Sequence, residues 1–235
     1  MKKLLLILLC LPFIGFGQNV YIPDANFKAY LVGNALINTN GDAEIQVSEA
    51  NAFNGQIECS YLNISDLTGI EEFSSLTELN CRGNQIPIFD VSNHTSLTFL
   101  DCSYNQLTDI DISSNTNIIT FVCNSNPQLI SLDVKNSNNI NMTTVVMSQN
   151  PNLSCISVDD SIYSTNNWTV ANGNIDPQHY FSNNCSGTTS IQEHNITKEL
   201  LKVTDLLGRE TKGNKNEPLI YLYDDGTVEK RIVIE

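Results

Sequence analysis

Apolar residues recur through the middle of the chain in a fixed order, separated by polar ones. In the segment LTELNCRGNQI the apolar positions are Leu76, Leu79, Cys81 and Ile86, with Asn84 shortly before the last. The same order returns as Leu97, Leu100, Cys102, Asn105 and Leu107, then as Ile118, Phe121, Cys123, Asn126 and Leu129, with a period of 21 residues. A fourth copy follows after a three-residue slip: Met142, Val145, Met147, Asn150 and Leu153. Positions 4 and 6 alternate with polar residues, which predicts a short strand with one face buried. The Asn at position 9 sits where the backbone leaves the strand. Its amide carries two donors and an acceptor, so a column of such residues can satisfy backbone groups of adjacent coils.

Each copy continues into a second alternation: Phe89-Asp90-Val91, Ile110-Asp111-Ile112, Leu132-Asp133-Val134 and Ile156-Ser157-Val158. No 3.6-residue stripe appears, so these predict a shorter extended segment on the opposite side of each coil, with the middle residue outward. The stretch from Ile57 to Ser75 reads as a degenerate opening coil, for about five coils in all. A fixed period of roughly 20–29 residues marks a solenoid, in which each unit buries its apolar face against its neighbours. The motif resembles the leucine-rich repeat, L-x-x-L-x-L-x-x-N-x-L, with Cys or Met at the sixth position. That resemblance implies a leucine-rich-repeat solenoid, α/β in class. It would have mostly short parallel strands and an irregular convex side, while the flanking residues predict a helical N-terminal cap and a small C-terminal β-hairpin domain.

The first residues, MKKLLLILLCLPFIGFGQ, join two lysines to an apolar run and small residues, the form of a secretory signal peptide spanning 1–17. A lipoprotein signal through Cys10 is the weaker variant, because Leu9 stands where a small residue is wanted. Residues 18–56 then form an N-terminal cap, 57–154 the repeats, 155–185 a C-terminal cap, 186–190 a polar linker and 191–235 a separate tail. In the first cap, Asp24 is the expected N-cap of a short helix whose apolar face is Phe27, Tyr30 and Leu31.

The twelve residues from Asn38 to Glu49 resemble an EF-hand calcium loop, with Asn38, Asn40, Asp42 and Glu49 at the ligating positions 1, 3, 5 and 12. Position 1 is Asn where Asp is usual, and Ala43 stands at position 6 where Gly permits a sharp turn. The loop therefore reads either as a weak calcium site or as a vestigial loop held by Asx turns. No other cofactor is expected.

Removing Lys2 and Lys3 leaves 10 basic against 26 acidic residues, a formal charge of −16. Such a surface repels phosphate backbones, which argues against a nucleic-acid partner. Of six cysteines beyond the signal, Cys81, Cys102 and Cys123 share one inward repeat position and read as buried thiols. Cys155 and Cys185 flank the polar segment after the last repeat and are the disulfide candidates. His94 and His179 read as surface residues, and the histidine and cysteine spacings supply no zinc motif.

The tail contains Asp205-Leu206-Leu207-Gly208-Arg209. It also has two alternating runs around Asp225-Gly226, which predict a hairpin, and a final strand carrying Lys230 and Arg231. It is similar to the C-terminal sorting domain of the type IX secretion system. The resemblance implies delivery by outer-membrane secretion machinery to the exterior or outer surface of a Gram-negative bacterium.

Function is then expected at the outward strand positions: Glu78, Asn80, Arg82, Phe99, Asp101, Ser103, Tyr104, Thr120 and Asn124. Aromatics beside polar groups suit a protein or glycan contact outside the cell. The same positions also fit unspecialised strand surface in a purely structural component. No nucleophile motif, metal cluster or face-directed His points to catalysis, so no catalytic residue is assigned.

Overall fold

A computed structural model describes residues 17–185, 200–204, 218–223 and 228–232. The signal segment 1–16, the linker 186–190, the Asp205–Arg209 motif and the Asp225-Gly226 turn lie outside the described residues. The chain divides into two compact units, Met1–Ser186 and Gly187–Glu235.

The first unit opens with helix α1 (Ala25–Gly33), and Asp24 is its N-cap, accepting from the amides of Asn26 and Phe27. Phe27 and Leu31 are buried, while the Tyr30 hydroxyl accepts from the Glu58 amide on the outer side of the first strand. The second oxygen of Asp24 accepts from the amide and hydroxyl of Ser65, tying the helix to the opening coil. Helix α2 (Val47–Ala52) follows.

Strands β1 (Gln56–Glu58), β2 (Glu78–Asn80), β3 (Phe99–Asp101), β5 (Thr120–Val122) and β7 (Thr144–Val146) form one parallel sheet in that order. Its central inward column is Ile57, Leu79, Leu100, Phe121 and Val145, all position-4 residues in register. Three residues per strand suffice because each coil turns away directly afterwards. The parallel ladder and stacked apolar side chains hold neighbouring coils together.

The opposite side also forms a sheet, of β4 (Asp109–Asp111), β6 (Ser131–Asp133), β8 (Cys155–Ser157) and β9 (Tyr180–Ser182). The alternating triplets thus pair into a ladder, more regular than the irregular convex side expected from the family resemblance. The first triplet does not join. Pro87 precedes it, Phe89 is only half-buried, and its register equivalents Ile110, Leu132 and Ile156 are buried. Segment 155–185 begins with the fourth expected triplet, β8, and the part after it, expected to be polar and irregular, continues the coil through α3 (Ser161–Asn167) and β9. Its core is Trp168, packed edge-on against Tyr163 and Phe181. Together the two parallel sheets, the short coils and the few helices fit a leucine-rich-repeat-like fold.

The Asn column works as its chemistry predicts. Asn105 donates to the carbonyls of Cys81 and Cys102 and accepts from the Ile86 amide. Asn126 repeats this with Cys102, Cys123 and Leu107. Asn84, Asn105, Asn126 and Asn150 are all buried, and the carboxylate of Asp176 closes the column by accepting from the amides of Gln149 and Asn150.

A second polar column runs through the far turns. Asn115 donates to the carbonyls of Val91 and His94, and Asn136 to that of Asn115. His94 belongs to this column and is 0% exposed, its Nε2 lying 2.9 Å from the Ile70 carbonyl. His179 is buried too, beside Asp176. Both histidines are therefore structural core residues and not the surface residues expected.

In the second unit, β10 (Leu200–Thr204), β11 (Pro218–Tyr223) and β12 (Val228–Ile232) form an antiparallel sheet in that order. Lys230 and Arg231 lie on β12.

Candidate functional site

Position 8 of every coil, just past the first sheet, has a left-handed backbone: Tyr61, Gly83, Tyr104, Ser125 and Gln149 all have φ between 55° and 69°. Four of the five are not glycine, so the geometry carries a cost in each of those coils. The turn points the side chain onto the rim of the sheet. Tyr61 is 62% exposed and Tyr104 44% exposed.

Arg82 lies between these two rings. Its guanidinium carbon is 4.4 Å from the Tyr104 centroid and 6.0 Å from that of Tyr61. Its Nε donates to the Tyr61 hydroxyl at 2.7 Å, and one terminal nitrogen donates to Ser103 Oγ at 3.3 Å and approaches Asp101 at 3.9 Å. The bond to Tyr61, opposed by partial desolvation, raises the guanidinium pKa further, so this cation is permanent. The result is a Tyr61–Arg82–Tyr104 group in which the guanidinium stacks on the Tyr104 ring and is held end-on by the Tyr61 hydroxyl, with both rings open to solvent.

The other expected contact residues divide by burial. Asp101 and Ser103 are buried and bonded to each other, and they lie against Arg82, which they support on the outer face. Asn124 is buried and donates to Ser125 Oγ. Glu78, Asn80, Phe99 and Thr120 are half-exposed on the sheet. Asn80 donates to Glu58 at 2.8 Å, which adds a carboxylate to the face. Sequence reasoning missed Tyr61 because its coil has Leu62 where the others have Asn.

The loop from Asn38 to Glu49 occupies its side-chain oxygens with its own donors. Glu49 is buried, and its carboxylate accepts from the amides of Thr39, Asn40 and Gln46 and from the Thr39 hydroxyl. Burial raises its pKa, but these four bonds outweigh burial and hold it below the ordinary value. Asn38 is buried and donates to the carbonyls of Val32 and Asp42. Asp42 accepts from Asn40 and Gln46 side chains and from the Glu44 amide. Left-handed backbone occurs at Gly41, with φ 71°, so Ala43 escapes the strain expected at position 6. Among the described residues no group of three or more His, Cys, Asp or Glu side chains is placed to hold a metal ion.

Cys155 and Cys185 form a disulfide across the end of the solenoid, with Cα atoms 5.8 Å apart. Cys59, Cys81, Cys102 and Cys123 are free and buried in one column. Burial pushes the Cys59 thiol up to about 12 and those of Cys81, Cys102 and Cys123 also upward, which makes all four poor nucleophiles.

No protein-family model matches this sequence, and no curated protein matches it. Solved structures do. A functional domain of InlJ from Listeria monocytogenes, described as including a cysteine ladder, is 23% identical over 60% of this chain and 44% of that one, with a TM-score of 0.32. An internalin, inlF, from Listeria monocytogenes is 20% identical over 62% of this chain and 46% of that one, with a TM-score of 0.36. The CBM51-2 and INT domains of ZmpB from Clostridium perfringens are 20% identical over 41% and 19% of the two chains, with a TM-score of 0.30. The chain thus spans less than half the length of each of these structures. Its repeat architecture rests on its own stacked coils.

Proposed function

We propose that this chain is a non-catalytic, exported binding or adhesion module that recognises a protein or glycan ligand outside the cell through the rim and face of its first sheet. The observation that carries this reading is the Tyr61–Arg82–Tyr104 group. Two exposed rings are held in place by a guanidinium that is itself bonded to Tyr61 and Ser103. Aromatic and arginine side chains fixed before binding lose little entropy when a ligand docks, and this is the usual composition of binding hot spots.

Export rests on the N-terminal signal pattern and on the similarity of residues 191–235 to a type IX sorting domain, which would place the mature chain at the exterior or outer surface of a Gram-negative cell. Among the described residues no helix is long and apolar enough to cross a membrane. Glycan and host-surface protein arrays probed with residues 18–235 test the reading. Specific binding that falls by about tenfold or more in Tyr61→Ala/Tyr104→Ala is expected for a group at the centre of the contact. Absence of any specific ligand would favour the structural-component alternative.

A further inference from the structure

On the side opposite this group, the solenoid carries a groove of about 760 Å³ between the opening coil and strand β4. It exists because the first convex triplet leaves the ladder. Ile88 is 64% exposed, Phe89 is half-buried, and β4 is left as the sheet's edge strand, paired on one side only with β6. The floor is apolar and the walls bear five carboxylates, from Asp66, Glu71, Asp90, Asp109 and Asp111, with no Lys, Arg or His in the lining. Asp66, Asp90 and Asp111 each commit one oxygen to a local amide, which fixes the carboxylates in place.

We propose that this groove docks an extended basic segment of a partner protein, laid over the 88–90 segment between the opening coil and β4. A docked extended segment would direct alternate side chains to opposite faces, so Lys or Arg residues meet the carboxylates while apolar ones cover Ile88 and Phe89. Charge selects the occupant. From residue 18 to 186 the chain has three bases, Lys28, Arg82 and Lys135, against 17 acidic residues. Two copies of this unit repel each other, and a cationic partner is drawn in. A divalent cation is the poorer fit, because these carboxylates do not converge as a metal-holding group.

The test is fluorescence anisotropy of the mature chain, residues 18–235, with labelled octapeptides of alternating Lys and Val. The inference requires saturable binding that weakens as salt rises. Affinity must fall by about tenfold or more in Asp109→Asn/Asp111→Asn, a loss suited to removing two charge contacts. Asn preserves the bond that Asp111 accepts from the Ser113 amide, and circular dichroism checks that the fold is intact. The control Asp133→Asn, on β6 away from the groove, should bind like the parent. A peptide of alternating Lys and Ser should bind at least several-fold more weakly, since it cannot cover the apolar floor. Absence of binding overturns the inference. So does equal binding by the Lys and Ser peptide, by an alternating Glu and Val peptide, or by the double variant, each of which would reduce the effect to diffuse surface attraction or less.

Discussion

The ring of Tyr61 lies directly over the Cα of Gly83, so closely that a Cβ on Gly83 would collide with the ring carbons. Gly83 has the same left-handed backbone as Tyr61 and Tyr104 but no side chain, which leaves the rim clear for the Tyr61 ring to reach Arg82. A missing side chain in one coil thus positions an aromatic from the coil before it.

Gly83→Ala should therefore destabilise the solenoid by about 1–2 kcal/mol from the left-handed backbone alone, with displacement of Tyr61 in addition. Ser137→Gly, at another left-handed position, should move the other way by about 0.5 kcal/mol, because relief of strain exceeds the glycine entropy cost. Urea unfolding midpoints of the two variants check the opposite signs.

Asn105→Ala leaves the amide of Ile86 buried without its acceptor and takes one of two side-chain donors from each of the carbonyls of Cys81 and Cys102, which keep Asn84 and Asn126. A loss of about 2–3 kcal/mol is expected, since one buried unsatisfied amide costs roughly 1–3 kcal/mol and two further buried bonds are lost with it. Asn117→Ala, an exposed residue outside the column that donates to Thr95, should cost less than about 1 kcal/mol in the same urea titration.

The cysteines should separate into two classes by mass spectrometry. In denaturant, four thiols should alkylate and one pair should not, and in the folded protein none of the four should react, since burial denies them both access and ionisation. Reducing Cys155–Cys185, which closes a separation of 30 residues, should cost about 3–4 kcal/mol by loop-entropy arithmetic. Native-state alkylation of Cys102 would contradict the column.

Acid should act on the N-terminal loop. The folded-state pKa of Glu49 lies below its usual 4.5, because bonds from four donors outweigh the effect of burial. Its contribution is therefore complete above pH 4.5 and is lost as pH falls through the folded value. Glu49→Gln should lower the melting temperature at pH 7, and the gap to the parent should close as pH drops below that range. A gap that stays constant with pH would assign the loss to packing and not to charge.

The repeat was legible because its signal is redundant: Leu79, Leu100, Phe121 and Val145 report one strand position four times, and Asn84, Asn105, Asn126 and Asn150 one ladder. Cys155 and Cys185 stood apart from the thiol column for the same reason. His94 was not legible. An isolated polar residue in a turn looks like surface, and only the Asn115–Asn136 column, offset on the far turns, explains its burial. The left-handed rim was hidden because only Gly83 among its five residues advertises positive φ. Asp101 and Ser103 occupy outward register positions but bond to each other and are covered beside Arg82, a pairing that strand alternation cannot foresee.

The most direct test of the binding-module account is hydrogen–deuterium exchange on residues 18–235 with and without the first ligand that passes the array screen. Slowed exchange in the segments around Tyr61, Arg82 and Tyr104, extending onto β2 and β3, is the predicted result. Protection confined to the β4–β6–β8–β9 side, with the Tyr61–Arg82–Tyr104 segments unchanged, would contradict it.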